Sequence, residues 1–154
     1  MSADRRAERG FSLVEITLAL GVAAVALLAV FALLPVGLET SRNAAEQTGA
    51  TSVLAAIASD LRATPRTAAS SALFDIAIPS SGTTSATDVY FTEHGEPSGS
   101  LASNSRYHGT VTFSPNTAGP KTALFANVAV TWPAAASALN KAGTVECFVA
   151  LDRN

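Results

Sequence analysis

Arg9-Gly10-Phe11-Ser12-Leu13-Val14-Glu15 opens an apolar run that continues from Ile16 to Leu38 without a charged residue. The run is dominated by Ala, Leu and Val. A helix needs about 20 such residues to cross a bilayer, so this stretch suffices. Glu15 is the anomaly, because a carboxylate inside hydrocarbon costs roughly 2.5–3.5 kcal/mol even on lenient insertion scales. A plain anchor gains nothing from that cost. A bland account is open to it: Glu15 lies only about 6 Å along a helix from Phe11, close enough to snorkel to the interface.

Gly10-Phe11-Ser12-Leu13-Val14-Glu15-Ile16-Thr17-Leu18-Ala19-Leu20 resembles the prepilin-type cleavage and methylation motif of type IV pilins and type II secretion pseudopilins. The resemblance covers about the first 40 residues. Leu34-Pro35-Val36-Gly37-Leu38 is similar to a segment of minor pilins, including a cassette-type pilin-like group. The resemblance implies that a prepilin peptidase cuts between Gly10 and Phe11 and methylates the new amine of Phe11. It implies that Glu15 is the carboxylate used in filament assembly, facing the Phe11 amine of a neighbouring subunit. The implied partners are that peptidase, other pilin or pseudopilin subunits, an inner-membrane assembly platform and membrane lipid. The implied fold is α+β and pilin-like, with a long hydrophobic N-terminal helix packed on a small antiparallel sheet.

Two other readings of the run compete. A secretory signal has an apolar core of 7–15 residues followed by a small-residue cleavage site. Here Ala24-Val25-Ala26 sits in the middle of a longer run, and Glu15 falls where the core should be purest. A single-pass anchor carrying an extracytoplasmic β-rich binding domain explains the span but not Glu15. Arg5, Arg6 and Arg9 precede the span and favour a cytoplasmic N-terminus, with the rest of the chain on the periplasmic side of the inner membrane.

The 154 residues divide into a leader (1–10), a span or filament-core helix (11–38), an amphipathic continuation (39–64) and an antiparallel β domain (65–154). Val53, Ile57 and Leu61 recur every four residues, with Leu54 widening the stripe, while Glu39, Arg42, Glu46, Asp60 and Arg62 supply the polar positions. Pro35 and Gly49 are weak points, and Thr64-Pro65 is a natural stop. One helix from Phe11 to Arg62 would run about 78 Å. Beyond it, alternation predicts strands at Leu73–Ile78, Asp88–Thr92, Tyr107–Phe113, Ala123–Trp132 and Thr144–Leu151. Loops are expected at Ser80–Thr87, Glu93–Gly99, Asn116–Pro120 and Pro133–Gly143. No helix separates the last two strands, so they should pair antiparallel.

No catalytic or metal-binding constellation stands out, and no cofactor is implied. His94 and His108 read as solvated polar residues, and Glu93 with Glu96 as charges on a turn. A formal charge of −2 and the absence of a basic block give no indication of nucleic-acid binding. Cys147 is the single cysteine and has no intramolecular partner. Its apolar neighbours Val145, Phe148 and Val149 suggest a small buried strand residue.

Overall fold

A computed structural model describes residues 10–79, 84–114 and 124–152. It is an α+β chain: one long helix followed by a five-stranded antiparallel sheet. Contacts divide the chain into two units, with the boundary between Arg42 and Asn43.

The helix α1, Leu13–Ala63, belongs to both units. Ser12 caps its start: its hydroxyl accepts from the Val14 amide at 3.3 Å, and its carbonyl accepts from Ile16 N–H at 3.1 Å. Neither Gly49 nor Pro35 ends the helix, although Pro35 has no N–H to give the carbonyl one turn back. It stops at Ala63, ahead of Thr64-Pro65, where the Thr64 hydroxyl donates to the Asp60 carbonyl at 2.7 Å. In the first unit every described residue, Gly10 to Arg42, is exposed. This part of α1 is long and apolar enough to span a membrane.

The second unit holds the sheet: β1 (Ser85–Thr92), β2 (Pro97–Ser98), β3 (Ser105–Ser114), β4 (Leu124–Trp132) and β5 (Gly143–Leu151), in the order β2-β1-β3-β4-β5. Every pairing is antiparallel. Period-two alternation turns Val89, Phe91, Tyr107, Val111, Phe113, Ala126, Val128, Val130, Val149 and Leu151 to one face. These residues form one core with Ala50, Val53, Ile57, Ala58 and Leu61 of α1. The four-residue stripe read from the sequence is therefore the buried face of the helix. Trp132 closes the core at 6 % exposure.

Three expectations need correction. Leu73–Ile78 alternates like a strand but forms a tight turn, with one isolated bridge between Ser70 and Ala77. Ser71 N–H donates to the Ile76 carbonyl at 3.0 Å, and Ile76 N–H donates to the Ser71 hydroxyl at 3.1 Å. Asp75 takes a positive φ of 49°, which short polar side chains tolerate. Ser85–Thr87, read as loop, is the start of β1, held by pairing with Val111–Phe113. Asp60, read as an outward polar residue, is buried. The expected turn at Asn116–Pro120 lies outside the described residues.

Candidate functional site

The residues of the Gly10–Glu15 stretch lie at the start of α1. Gly10, Phe11 and Ser12 lie outside any helix or strand and are exposed. Leu13 begins the helix, which puts Glu15 in the first turn. Phe11 and Glu15, with Ile16, Ala19, Leu20 and Ala23, line a single shallow groove. Unpaired N–H groups at a helix N-terminus favour a nearby carboxylate, so Glu15 has a favourable local setting within its own chain. The remaining walls of the groove are hydrocarbon, and nothing else charged lies among the lining residues. The carboxylate is thus presented, with an aromatic residue beside it, on an uncovered apolar helix.

The polar residues of the second unit are used differently. Arg106 of β3 pairs with Glu46 of α1, and both side chains are largely buried. Nearby, the Tyr107 ring lies over Gly49, where an added Cβ would meet the phenol oxygen at 2.2 Å. Burial pushes the Tyr107 phenol above its usual range; the Arg106 cation opposes this and Glu93 adds to it. At the other end of the helix, Asp60 accepts from Leu73 N–H at 3.0 Å and Phe74 N–H at 3.1 Å. Those two bonds hold the Ser70–Ile78 turn, and Phe74 packs edge-on against Phe91, ring centroids 5.2 Å apart.

His108 is not a solvated residue. Its Nε2 lies 2.9 Å from Asp88 Oδ1, which also accepts from the Thr110 hydroxyl at 3.0 Å. Its ring stacks on Tyr90 with centroids 4.7 Å apart. Tyr90 and His108 are directly opposed on neighbouring strands, so this is a cross-strand tie on the outer sheet face. His94, Glu93 and Glu96 remain apart from it, in the turn between β1 and β2. Among the described residues no group of three or more His, Cys, Asp or Glu side chains converges as metal ligands would. Cys147 sits mid-strand on the inward face of β5, half-buried rather than buried, and desolvation raises its thiol pKa against the weaker pull of Arg62. Such a thiol is a poor nucleophile.

Sequence reasoning missed Asp60 and the Glu46–Arg106 pair as internal ties. A signal for the helical partners existed. Glu46 precedes Ala50, Val53, Ile57 and Leu61 at the same three- and four-residue intervals, and Asp60 follows Ile57 by three. Nothing local marks Arg106 or the Leu73 and Phe74 amides as their partners. Comparison with protein-family models, with curated proteins and with solved structures gave no match to this chain.

Proposed function

We propose that the chain is a prepilin-like structural subunit, cut by a prepilin peptidase and assembled into a type IV pilus or a type II secretion pseudopilus. The observation that carries this reading is the Gly10-Phe11 junction followed by Glu15, the one charge at the head of an otherwise uncharged span. The exposure of Gly10, Phe11 and Ser12 outside the helix supports it, because a peptidase needs an accessible peptide bond in extended chain. An α1 that is uncovered over Leu13–Arg42 and covered only within the second unit also supports it. A subunit that leaves the bilayer for a filament exchanges lipid for the spans of its neighbours, and so needs that surface free.

In this mechanism water cleaves the Gly10–Phe11 bond, leaving the Gly10 carboxylate on the leader and a new amine on Phe11. Methylation follows and keeps the amine positive. Glu15 of a neighbouring subunit then meets that amine in a medium of low dielectric, where opposite charges attract strongly. The pair offsets the desolvation of both ions and sets the stagger between helices. No catalytic step belongs to this chain. Before assembly it sits in the inner membrane with a cytoplasmic N-terminus and a periplasmic C-terminal domain.

Glu15→Leu separates this role from hydrophobicity alone. The variant should enter membranes at least as well as the native chain, since a costly charge is gone. Cleavage after Gly10 should continue. Incorporation into filaments, measured in sheared fractions from cells carrying the cognate machinery, should fall sharply, because an amine left unpaired in an apolar core is strongly disfavoured. Native levels of incorporation would reject the assembly role.

A further inference from the structure

The sheet ends differently on its two sides. On one side the outermost strand is β2, two residues headed by Pro97, which has no N–H to offer a further strand. The stretch of β1 that β2 leaves open holds only small and polar residues besides the buried Val89. On the other side the outermost strand is β5, nine residues without proline. Its register with β4 runs from Leu124 opposite Leu151 to Trp132 opposite Gly143 without a shift. Edge strands ordinarily carry a device that stops further pairing, such as proline, a bulge, a lysine or short length. β5 has none of these, and among the described residues no strand pairs with its outer edge.

The side chains of β5 are also left unfinished. Val145 and Cys147 face inward yet are only half-buried, while Val130 and Val128, opposite them on β4, are fully buried. The core is therefore open along that half of the edge. On the outer face Phe148 is 73 % exposed, with the 42 % exposed Phe125 diagonal to it on β4. Glu146 stands next on the same face, exposed, and is the one charged residue of the strand. At the other end the chain after α1 lies beside Leu151, where Arg66 pairs with Asp152. The open part of the edge is thus Thr144–Phe148.

We propose that β5 is a docking edge for an extended strand of another polypeptide, which pairs antiparallel along Thr144–Phe148. In strand addition of this kind backbone hydrogen bonds supply affinity and alternate side chains supply selectivity. Antiparallel order continues the rest of the sheet, in which every pairing is antiparallel. The side chains of β5 fix the partner's chemistry. It carries an apolar residue opposite Phe148, apolar residues opposite Cys147 and Val145 to finish the core, and a lysine or arginine opposite Glu146. A second copy of β5 does not meet this need, because that strand has no cation to bring to Glu146. The docking edge belongs to the second unit alone and does not depend on processing, assembly or the span.

The test uses the full chain in detergent micelles and a fluorescent synthetic peptide holding leucine, valine, lysine, valine and threonine in that order, flanked by threonines. Two further forms carry N-methyl groups on alternate amides, one set on each edge of the extended peptide. Binding, read by fluorescence anisotropy, should survive in one methylated form and be lost in the other, because a single edge of the peptide faces β5. Amide hydrogen exchange should slow along Thr144–Phe148 and stay unchanged in β1. A peptide with glutamate in place of lysine should bind severalfold more weakly, and Glu146→Lys should reverse that order. The reversal also shows that the variant is folded. No binding of the lysine peptide, equal binding of the two methylated forms, protection in β1 instead of β5, or an unchanged order in Glu146→Lys would each overturn the inference. So would self-association of the chain through β5 that the peptide fails to disperse.

Discussion

Leu13–Arg42 and Asn43–Ala63 are parts of one helix that obey different rules. In the first part apolar residues occupy every side and none is covered by protein. In the second part they occupy a stripe, and that stripe is the floor of the core. The lesson is that an apolar side chain states only a need for non-aqueous surroundings. Periodicity states who supplies them. A stripe calls for one folded partner, whereas an all-round surface calls for lipid or other helices on every side.

Ile57 and Leu28 offer the harshest way to break this contrast, since both are large aliphatic residues of the same helix. Ile57 is fully buried, so Ile57→Ala should lower the stability of the β domain by about 2–5 kcal/mol. Leu28→Ala should leave that domain's unfolding unchanged. The near-ultraviolet signal of Trp132, followed through thermal unfolding in detergent, distinguishes them, and equal shifts would contradict the division into units.

Two glycines sharpen the same comparison with a change of sign. At Gly37 an added Cβ meets nothing within 4 Å, so Gly37→Ala should simply favour helix, by up to about 1 kcal/mol. At Gly49 the new Cβ would run into the buried Tyr107 ring. Gly49→Ala should therefore destabilise by about 1–2 kcal/mol, overpacking outweighing the gain in helix propensity. Stabilisation by Gly49→Ala would show that the helix is not seated on β3 at that point.

The sequence made much of this visible, and the reasons for the rest are physical. β3, β4 and β5 were legible because one face of each is buried and the other is not, which imprints period two on long runs. The helix end was legible because proline restricts the residue before it. Leu73–Ile78 shows the same alternation yet is no strand. Its backbone is taken by the Asp60 carboxylate and by internal bonds of the turn, which are set by a residue thirteen positions away. Ser85–Thr87 shows the converse: small polar residues become strand because Val111–Phe113 offers a ladder to pair with. At the N-terminus, the motif from Gly10 to Glu15 was legible as a pattern. Its exposure outside the helix was not, because it depends on where α1 starts, and that is set by the Ser12 cap.

The smallest effect concerns alkaline pH and the buried end of the comparison. Tyr107 keeps its proton more firmly folded than unfolded, because burial raises its pKa more than Arg106 lowers it. A group raised in the folded state gives stability that is whole below the unfolded value, about 10 for tyrosine. That stability is lost as pH rises through the higher folded value. Denaturation midpoints of the native chain should thus fall above about pH 10, with a shallower fall in Tyr107→Phe. Identical slopes would remove Tyr107 from the account.

The account's central claim is that the apolar end is made to be cut at one bond and then used. Mass spectrometry of the mature N-terminus, from cells that contain a prepilin peptidase, tests this most directly. The predicted result is a chain starting at Phe11 with a methylated amine. An intact leader from Met1 would leave only a membrane anchor, and a start after Ala26 would make the run a secretory signal; either would contradict the claim.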